Sequence, residues 1–591
     1  MKQYVAPIKD MLFNLSHLAG LEKTLKYAAF ADYDQETIDQ VVEEAGKFAN
    51  DILSPLNIPG DRSGIVLSDG EVATAAGFRE AHQQFIESGW QSMDVSPEYG
   101  GMGLPAAVGA AAMESWQSAC MSYSLNPMLT NGAIHAIEAH GSEGLRSRYL
   151  PKMASGEWTG TMNLTEPHAG SDLSIVSTKA VPNGDHYRIS GTKIYITWGD
   201  HDMAENVIHL VLARLLDAPE GVRGISLFLV PKFLLDDSGN VAVRNDVTVA
   251  GVEHKLGIHA SPTCVMSFGE NDGATGYLIG AENKGLACMF SMMNHARTYV
   301  GIQGLAMSER AYQLARNFAL DRKQGRAPGV EGVATIIKHP DVRRMLLVMK
   351  SQIEAMRALS YYAAGVPDTV KHAENEDLRA QAKRRDALLT PIVKTWMTEI
   401  AQEITSLGVQ VQGGMGFVEE TGAAQHMRDA RILTIYEGTT GIQGLDFVGR
   451  KILMDGGLSM GELLEEMESV ATQLEAQADF SVMRSALSSG VEDLRSATNW
   501  LLENASKDPA VAGAASVNLV MLAGVVVGGW RLAVTALALQ EGVAADDADF
   551  VAAKKVTIQF YAEQIMPRAK AFAGAAMAPS ATVMALADEM F

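Results

Sequence analysis

A change of periodicity along the chain is its strongest constraint on fold. From Asp34 the apolar positions Ile38, Val41, Val42, Ala45, Phe48, Ala49 and Ile52 recur at three and four residues, the spacing of an amphipathic helix, and Pro55 is expected to close it. Between residues 161 and 280 this period is lost. Short β-prone runs take over, among them Tyr187 to Ser190, Lys193 to Thr197, Val207 to Leu212 and Ile225 to Val230, punctuated by Gly and Pro. Helical spacing returns near Gly285 and continues to the Gly456-Gly457 pair. Ser459 and Glu462 then predict a capping box ahead of Leu463 and Leu464, and Leu487, Val491, Leu494 and Leu501 mark one face of a later helix. The expected fold class is α+β, mainly α. Its expected divisions are an N-terminal extension (1–34), a helical domain (35–160), a β domain (161–280), a second helical domain (281–455) and an additional helical region (456–591). No tandem repeat interrupts this order.

At 591 residues the chain is long enough for three to four domains or subdomains and a large buried site. Lys+Arg 48 against Asp+Glu 70 gives a net charge of -22, which disfavours nucleic acid or an anionic membrane as the main partner. Cys120, Cys264 and Cys288 are too scattered for a disulfide framework or a metal-ligand cluster, so reduced buried thiols and no metal are expected. Charges at Lys9, Asp10, Glu22, Lys23 and Lys26, with no Arg before Arg62, fit neither a signal nor a transit peptide, and a cytoplasmic location is expected. Val511 to Trp530 reaches the length of a membrane span, with only Ser516 and Asn518 clearly polar. It lacks a flanking basic cluster and ends at Arg531 before more apolar sequence, so a buried core helix is expected rather than stable membrane insertion.

Several runs carry chemistry. In Ile435-Tyr436-Glu437-Gly438-Thr439-Thr440-Gly441-Ile442-Gln443 a carboxylate sits between an aromatic and a glycine, a setting that suits a desolvated general base. Alone, such a Glu is more often a solvated surface acid. Gly101-Met102-Gly103-Leu104-Pro105-Ala106 has glycines like a dinucleotide loop, but it lies between helical stretches and contains Pro105, so no nucleotide loop is expected and Pro97-Glu98-Tyr99-Gly100-Gly101 is read as a turn. Met162 to Asp172 gathers hydroxyls, a flexible glycine and backbone amides, which could hold flavin edges and pyrophosphate oxygens; an ordinary Asx-type turn is the alternative. In Gly191 to Thr197, strand alternation would place Tyr195 and Thr197 on one face, an aromatic surface beside a hydroxyl.

Those two runs, together with Asp321-Arg322-Lys323-Gln324-Gly325-Arg326, Gln410-Val411-Gln412-Gly413-Gly414-Met415-Gly416 and the Glu437 run, follow the order seen in acyl-CoA dehydrogenases. The resemblance covers about residues 35 to 450. It implies the three-domain fold of that family and FAD as cofactor, bound by Leu164, Thr165, Gly170, Ser171, Tyr195, Thr197 and Thr439. Arg322, Gln410, Gly413 and Gly414 would reach the FAD of a neighbouring subunit, which implies a homo-oligomer, expected to be a dimer. Tyr195 stands where the family usually has Trp, and the Phe often found before the glycine matching Gly325 is missing. Glu437 would be the catalytic base, Arg297 would lie near it, and Ser171, Arg297 and Gly438 would meet substrate. For Arg297 a structural salt bridge is an equal alternative. His295 is expected to be structural, and Arg450 and Lys451 are expected to be surface charges rather than CoA-phosphate ligands.

The resemblance implies removal of an α-proton of an acyl-CoA by Glu437 and passage of the β-hydride to flavin, giving a trans-2-enoyl-CoA. Oxyanion donors would be the Glu437 N–H and a ribityl hydroxyl. Electrons would pass to electron-transferring flavoprotein. The extra N-terminal segment, the long C-terminal region and the wording Tyr436 to Gln443 are similar, more narrowly, to family members acting on an acyl chain that contains a thioether. Short or medium straight-chain acyl-CoAs, an acyl-CoA oxidase and a flavin-bearing DNA-associated relative remain the alternatives.

Overall fold

The computed structural model describes residues 4–474 and 478–591. The chain forms two compact units, one made of residues up to Glu43, Pro105–Glu114 and Arg297–Phe591, the other of Glu44–Leu104 and Ser115–Ala296.

The second unit is built on an eight-stranded sheet. Its strands are β1 (Trp158–Asn163), β2 (Lys179–Asn183), β3 (His186–Thr197), β4 (Asn206–Leu215), β5 (Ile225–Pro231), β6 (Val247–Val252), β7 (Thr263–Phe268) and β8 (Ala274–Ile279). They lie in the order β6-β7-β3-β8-β5-β4-β1, with β2 paired to β3 and β4. The pairs β1 with β4 and β2 with β4 are parallel, and the others are antiparallel. β4 and β5 are buried almost throughout, which is why they read as largely apolar runs, interrupted at His209 and Ser226, rather than as an alternating pattern. The helix Met121–His140 packs on β1.

The two runs expected as separate strands, 187–190 and 193–197, form the single strand β3. Against β7 its register slips between the pairs Met266↔Lys193 and Cys264↔Ile196, so Ile194 and Tyr195 together oppose Val265 in a bulge. The bulge separates buried Lys193 from Tyr195, while Ile196 beyond it is buried between Tyr195 and Thr197. Tyr195 leaves the sheet with φ +60° and is 60% exposed, whereas Thr197 is half-buried.

The first unit is helical. Its long helices are Pro340–His372, Glu376–Gln412 and Val511–Gln540, joined by the part of Gly285–Asp321 that begins at Arg297. Val511–Gln540 is long and apolar enough to cross a membrane, yet it is the core of this unit and packs on Pro340–His372, Glu376–Gln412, Ser481–Asn504 and Arg568–Ala576. Small residues permit that approach. A Cβ on Gly524 would come within 2.2 Å of Trp396, and one on Gly528 within 2.5 Å of the Tyr561 hydroxyl and 2.8 Å of Trp396. The indole, fully buried, fills a notch that only glycine leaves open.

A buried charge network ties the N-terminal helix Ile8–His17 to the C-terminal helix Ala548–Phe560. Arg357, 2% exposed, donates to Glu114 at 2.6 Å, Glu309 at 2.7 Å and Asp10 at 2.5 Å. Lys554 pairs with Asp10 and, at 3.2 Å, with Glu354. Buried charges survive only when paired in this way.

Two expected helix boundaries differ. Pro55 does not close a helix: Gln35–Phe48 runs through a wide turn into Ser54–Ser63, where Pro55 occupies the first turn and needs no donor. The helix Leu458–Gln473 starts where expected but without the capping box. Asp455 instead accepts from the backbone N–H groups of Gly457 (2.9 Å) and Ser459 (3.0 Å), while Glu462 pairs with Arg384.

Candidate active site

Glu437 lies between a short 3-10 turn, Arg431–Thr434, and the helix Thr440–Asp446. Glu437 and Gly438 are both left-handed, with φ +55° and φ +96°. For glutamate this is a strained conformation, so the surroundings must impose it. Arg297 Nε and Gln443 Nε2 each donate to the Glu437 carbonyl at 3.2 Å, and Lys394 Nζ donates to the Gly438 carbonyl at 2.5 Å. Thr439 caps the next helix by accepting from the Ile442 N–H at 3.2 Å, and the Tyr436 hydroxyl bonds Gln303. Behind the turn the backbone of Ser516 presses on Gly444, where a Cβ would meet it at 3.0 Å, so the C-terminal region braces the helix that follows the base.

This is not the setting of a surface acid. Burial pushes the Glu437 carboxyl above its ordinary value, while Arg297 and Lys394 pull it down. Burial in turn lowers Arg297, opposed by Glu437 and Asp446. The result is a carboxylate poorly solvated by water but held near two cations, which is the condition for a base that takes a weakly acidic proton. The structure thus brings together Glu437, Gly438, Thr439 and Arg297, as expected. It also adds Lys394 and Gln443, both with 0% exposure, which the sequence reading missed. Neither carries a local signal, because one is a lysine within a long apolar helical pattern and the other an ordinary-looking glutamine.

The residues expected around a flavin lie partly in the second unit. Lys193 and Glu166, 0% and 2% exposed, form an ion pair at 2.8 Å. Lys193 also donates to the Leu164 carbonyl at 3.0 Å, and the bulge N–H of Ile194 donates to the Thr165 carbonyl at 2.9 Å. Glu166 further accepts from the N–H and hydroxyl groups of Ser177 and Thr178. Against the cost of burial, Lys193 and these donors hold Glu166 down to about 2. The loop carrying Leu164 and Thr165 is therefore pinned beside Tyr195, and this pair was also missed. Gly170 and Ser171 are exposed farther along the loop, where Asp172 makes an Asx-type turn, the alternative weighed for this run, by accepting from the Ser174 N–H at 2.8 Å.

A flavin fits these residues. Tyr195 is a large aromatic standing out of the sheet that no core claims, with the loop hydroxyls on a fixed support beside it. In the first unit Arg322 follows the end of the helix Gly285–Asp321, and Arg322, Gln410, Gly413 and Gly414 are all exposed, with open space where a Cβ of either glycine would lie.

Among the remaining expectations, Arg450 is 60% exposed and pairs with Asp446 at 3.1 Å, with Lys451 4.0 Å from the same residue. Pro97–Tyr99 forms a short 3-10 turn closed by left-handed Gly100, and residues 101–105 lead without regular structure into the helix Ala106–Ala119. His295 packs on His135, ring centroids 4.7 Å apart, and with Asp94 their ligand atoms lie within 4.8 Å of one another. The nitrogens of His135 face Asp94 at 3.4 Å and Glu138 at 3.8 Å. Burial opposes charge on His135, but the two carboxylates win and raise it to about 9, while burial and His135 hold His295 near 3.

Family models match the chain in sequence order: acyl-CoA dehydrogenase N-terminal domain over 36–157, middle domain over 161–270, C-terminal domain over 283–453, and acetyl-CoA dehydrogenase C-terminal like over 463–587. The chain belongs to the acyl-CoA dehydrogenase family of flavin-dependent oxidoreductases. It is 46% identical over 571 residues to 3-methylmercaptopropionyl-CoA dehydrogenase of Ruegeria pomeroyi, spanning 95% of this chain and 96% of that one. It is 34% identical over 596 residues to a butyryl-CoA dehydrogenase of Syntrophomonas wolfei, spanning 95% of each. Among solved structures, an acyl-CoA dehydrogenase from Bacillus anthracis complexed with FAD superposes with a TM-score of 0.75 at 19% identity, covering 96% of this chain and 91% of that one, a likeness of fold.

Proposed function

We propose that the protein dehydrogenates 3-methylmercaptopropionyl-CoA between its α and β carbons, giving the trans-2-enoyl thioester, with FAD as cofactor and electron-transferring flavoprotein as acceptor. The observation that carries the chemistry is Glu437: a half-buried carboxylate on a left-handed turn whose carbonyl is clamped by Arg297 and Gln443. Its raised proton affinity suits abstraction of the α-proton, and the clamp fixes the direction from which it acts. When bound, the flavin supplies the acceptor for the hydride that leaves the β-carbon. Tyr195, Thr197, Leu164, Thr165, Gly170, Ser171 and Thr439 hold the cofactor in this reading, and Ser171, Arg297 and Gly438 contact the thioester substrate. The choice of acyl chain is supported by 46% identity to a relative of that name against 34% to a butyryl-CoA relative, both nearly full length.

We further propose a homodimer in which Arg322, Gln410, Gly413 and Gly414 reach the partner's FAD. Beside the two glycines Met415 is 51% and Phe417 86% exposed, apolar surface that a second copy would cover.

The test is anaerobic mixing of purified yellow protein with a panel of acyl-CoAs while flavin absorbance is followed. Rapid bleaching is expected with 3-methylmercaptopropionyl-CoA and slower bleaching with butyryl-CoA, and Glu437→Gln should lower the rate by several orders of magnitude. Full-rate bleaching by Glu437→Gln removes the base assignment. A flavoprotein that no thioester bleaches removes the dehydrogenase reading.

A further inference from the structure

Lys394 is a fully buried lysine on the helix Glu376–Gln412, with 0% exposure among the equally buried Leu388, Leu389, Ile392, Val393, Trp396 and Met397. Methionine of the same reach would fill this space without removing an ammonium from water. What the ammonium adds is a hydrogen bond to the Gly438 carbonyl at 2.5 Å and a positive charge next to Glu437. The same helix grips the base segment at two further points. Glu399 accepts from the Thr440 hydroxyl, and Gln402 Nε2 donates to the Ala430 carbonyl at 2.7 Å.

We infer that Lys394 is a positioning residue for the base: it locks the left-handed Glu437-Gly438 turn through the Gly438 carbonyl and sets a positive charge beside the Glu437 carboxylate. A carbonyl pinned at Gly438 fixes the rotation of the peptide that follows the base, and Arg297 and Gln443 fix the one at Glu437 itself, so three donors define a turn that glutamate would not adopt unaided. The charged groups facing Lys394 are Glu437, Arg297 and Glu399. Burial brings Lys394 down to about 8, with Glu437 opposing, so at neutral pH it still carries its proton.

The inference rests on Glu437 being the base, and the two fail differently. In anaerobic stopped-flow flavin reduction of the holoenzyme, with the acyl-CoA concentration varied at each pH, Lys394→Met should lower the limiting rate about tenfold or more and change the apparent KM by less than about threefold. Its acid limb should move to higher pH, by roughly half a unit to one unit, because the carboxylate has lost a neighbouring cation. Lys394→Arg should return the limb to its original place. A Lys394→Met enzyme with the original acid limb, or with losses confined to melting temperature and KM, overturns the inference while leaving Glu437 as the base. Reduction that survives Glu437→Gln removes the base reading instead. If Lys394→Met does not accumulate as a flavoprotein, Lys394→Gln is read in the same way; and in either case a folded Lys394→Arg enzyme with a displaced limb overturns the role.

Discussion

Replacing Gly438 by alanine tests whether the geometry of the base turn controls the reaction. At φ +96° an L-residue costs roughly 1–2 kcal/mol relative to glycine. The new Cβ would also stand 2.5 Å from Gln443 Nε2, closer than any real contact, so the amide must move. Gln443 is fully buried and donates to the Glu437 carbonyl at 3.2 Å. Losing that bond inside the protein costs about 1–2 kcal/mol. The sum, about 2–4 kcal/mol, is large for a turn of this size. Strain that the turn keeps lowers stability, whereas strain that it sheds by rotating moves the carboxylate. Because Arg297 and Lys394 also hold the neighbouring carbonyls, rotation breaks further bonds, and the whole cost can fall on the rate. At about 1.4 kcal/mol per factor of ten, that is a loss of roughly 30-fold to several hundred-fold. The assay is the rate of anaerobic flavin reduction at saturating acyl-CoA, paired with a thermal melt and the flavin content of the variant. A Gly438→Ala enzyme that matches the parent in both rate and melting temperature would refute the reasoning, since neither the backbone strain nor the displaced amide would then be real.

Two more outcomes test the framework around the site. Gly524→Ala places a Cβ 2.2 Å from the buried Trp396 and should destabilise the first unit by about 1–3 kcal/mol, read as a lower melting temperature; an unchanged melt would contradict the close helix packing. Glu166 is held near 2 when folded against an ordinary 4.5, so its contribution to stability is complete above about pH 4.5 and is lost as pH falls towards 2. By linkage that contribution is about 3 kcal/mol, and Glu166→Gln should flatten the acid side of the stability profile followed by thermal melts between pH 3 and 6; an equally steep fall in the variant would assign acid sensitivity to other carboxylates.

Much of this was legible along the chain because it depends on neighbours in sequence. The β block, the return of helical spacing near Gly285 and the face marked by Leu487, Val491, Leu494 and Leu501 follow from periodicity, and the buried positions of the helix Ser481–Asn504 fall on that face. Glu437 stood out through the residues beside it. Local readings failed where another element intervened. Pro55 opens a helix turn instead of ending one, because a prolyl nitrogen costs nothing there. Ser459 and Glu462 do not reciprocate, because Asp455 and Arg384 offer better partners. Lys193 and Tyr195, two apart on β3, differ in burial because β7 supplies one residue opposite two.

The sequence by itself determined the order of helical and β segments, the apolar content of the helix Val511–Gln540 and the family motifs, since each is written in residues within a few positions of one another. Only the tertiary structure decided that this apolar helix spends its hydrophobic surface on protein, with Trp396 seated against Gly524 and Gly528. It alone brought Lys394, Arg297 and Gln443 to the two carbonyls of the base turn, and Lys193 to the loop that carries Leu164 and Thr165. The physical reason is range. Backbone preference acts over a few residues, whereas the desolvation and charge that set the character of Glu437 come from side chains that meet it only after the chain has folded.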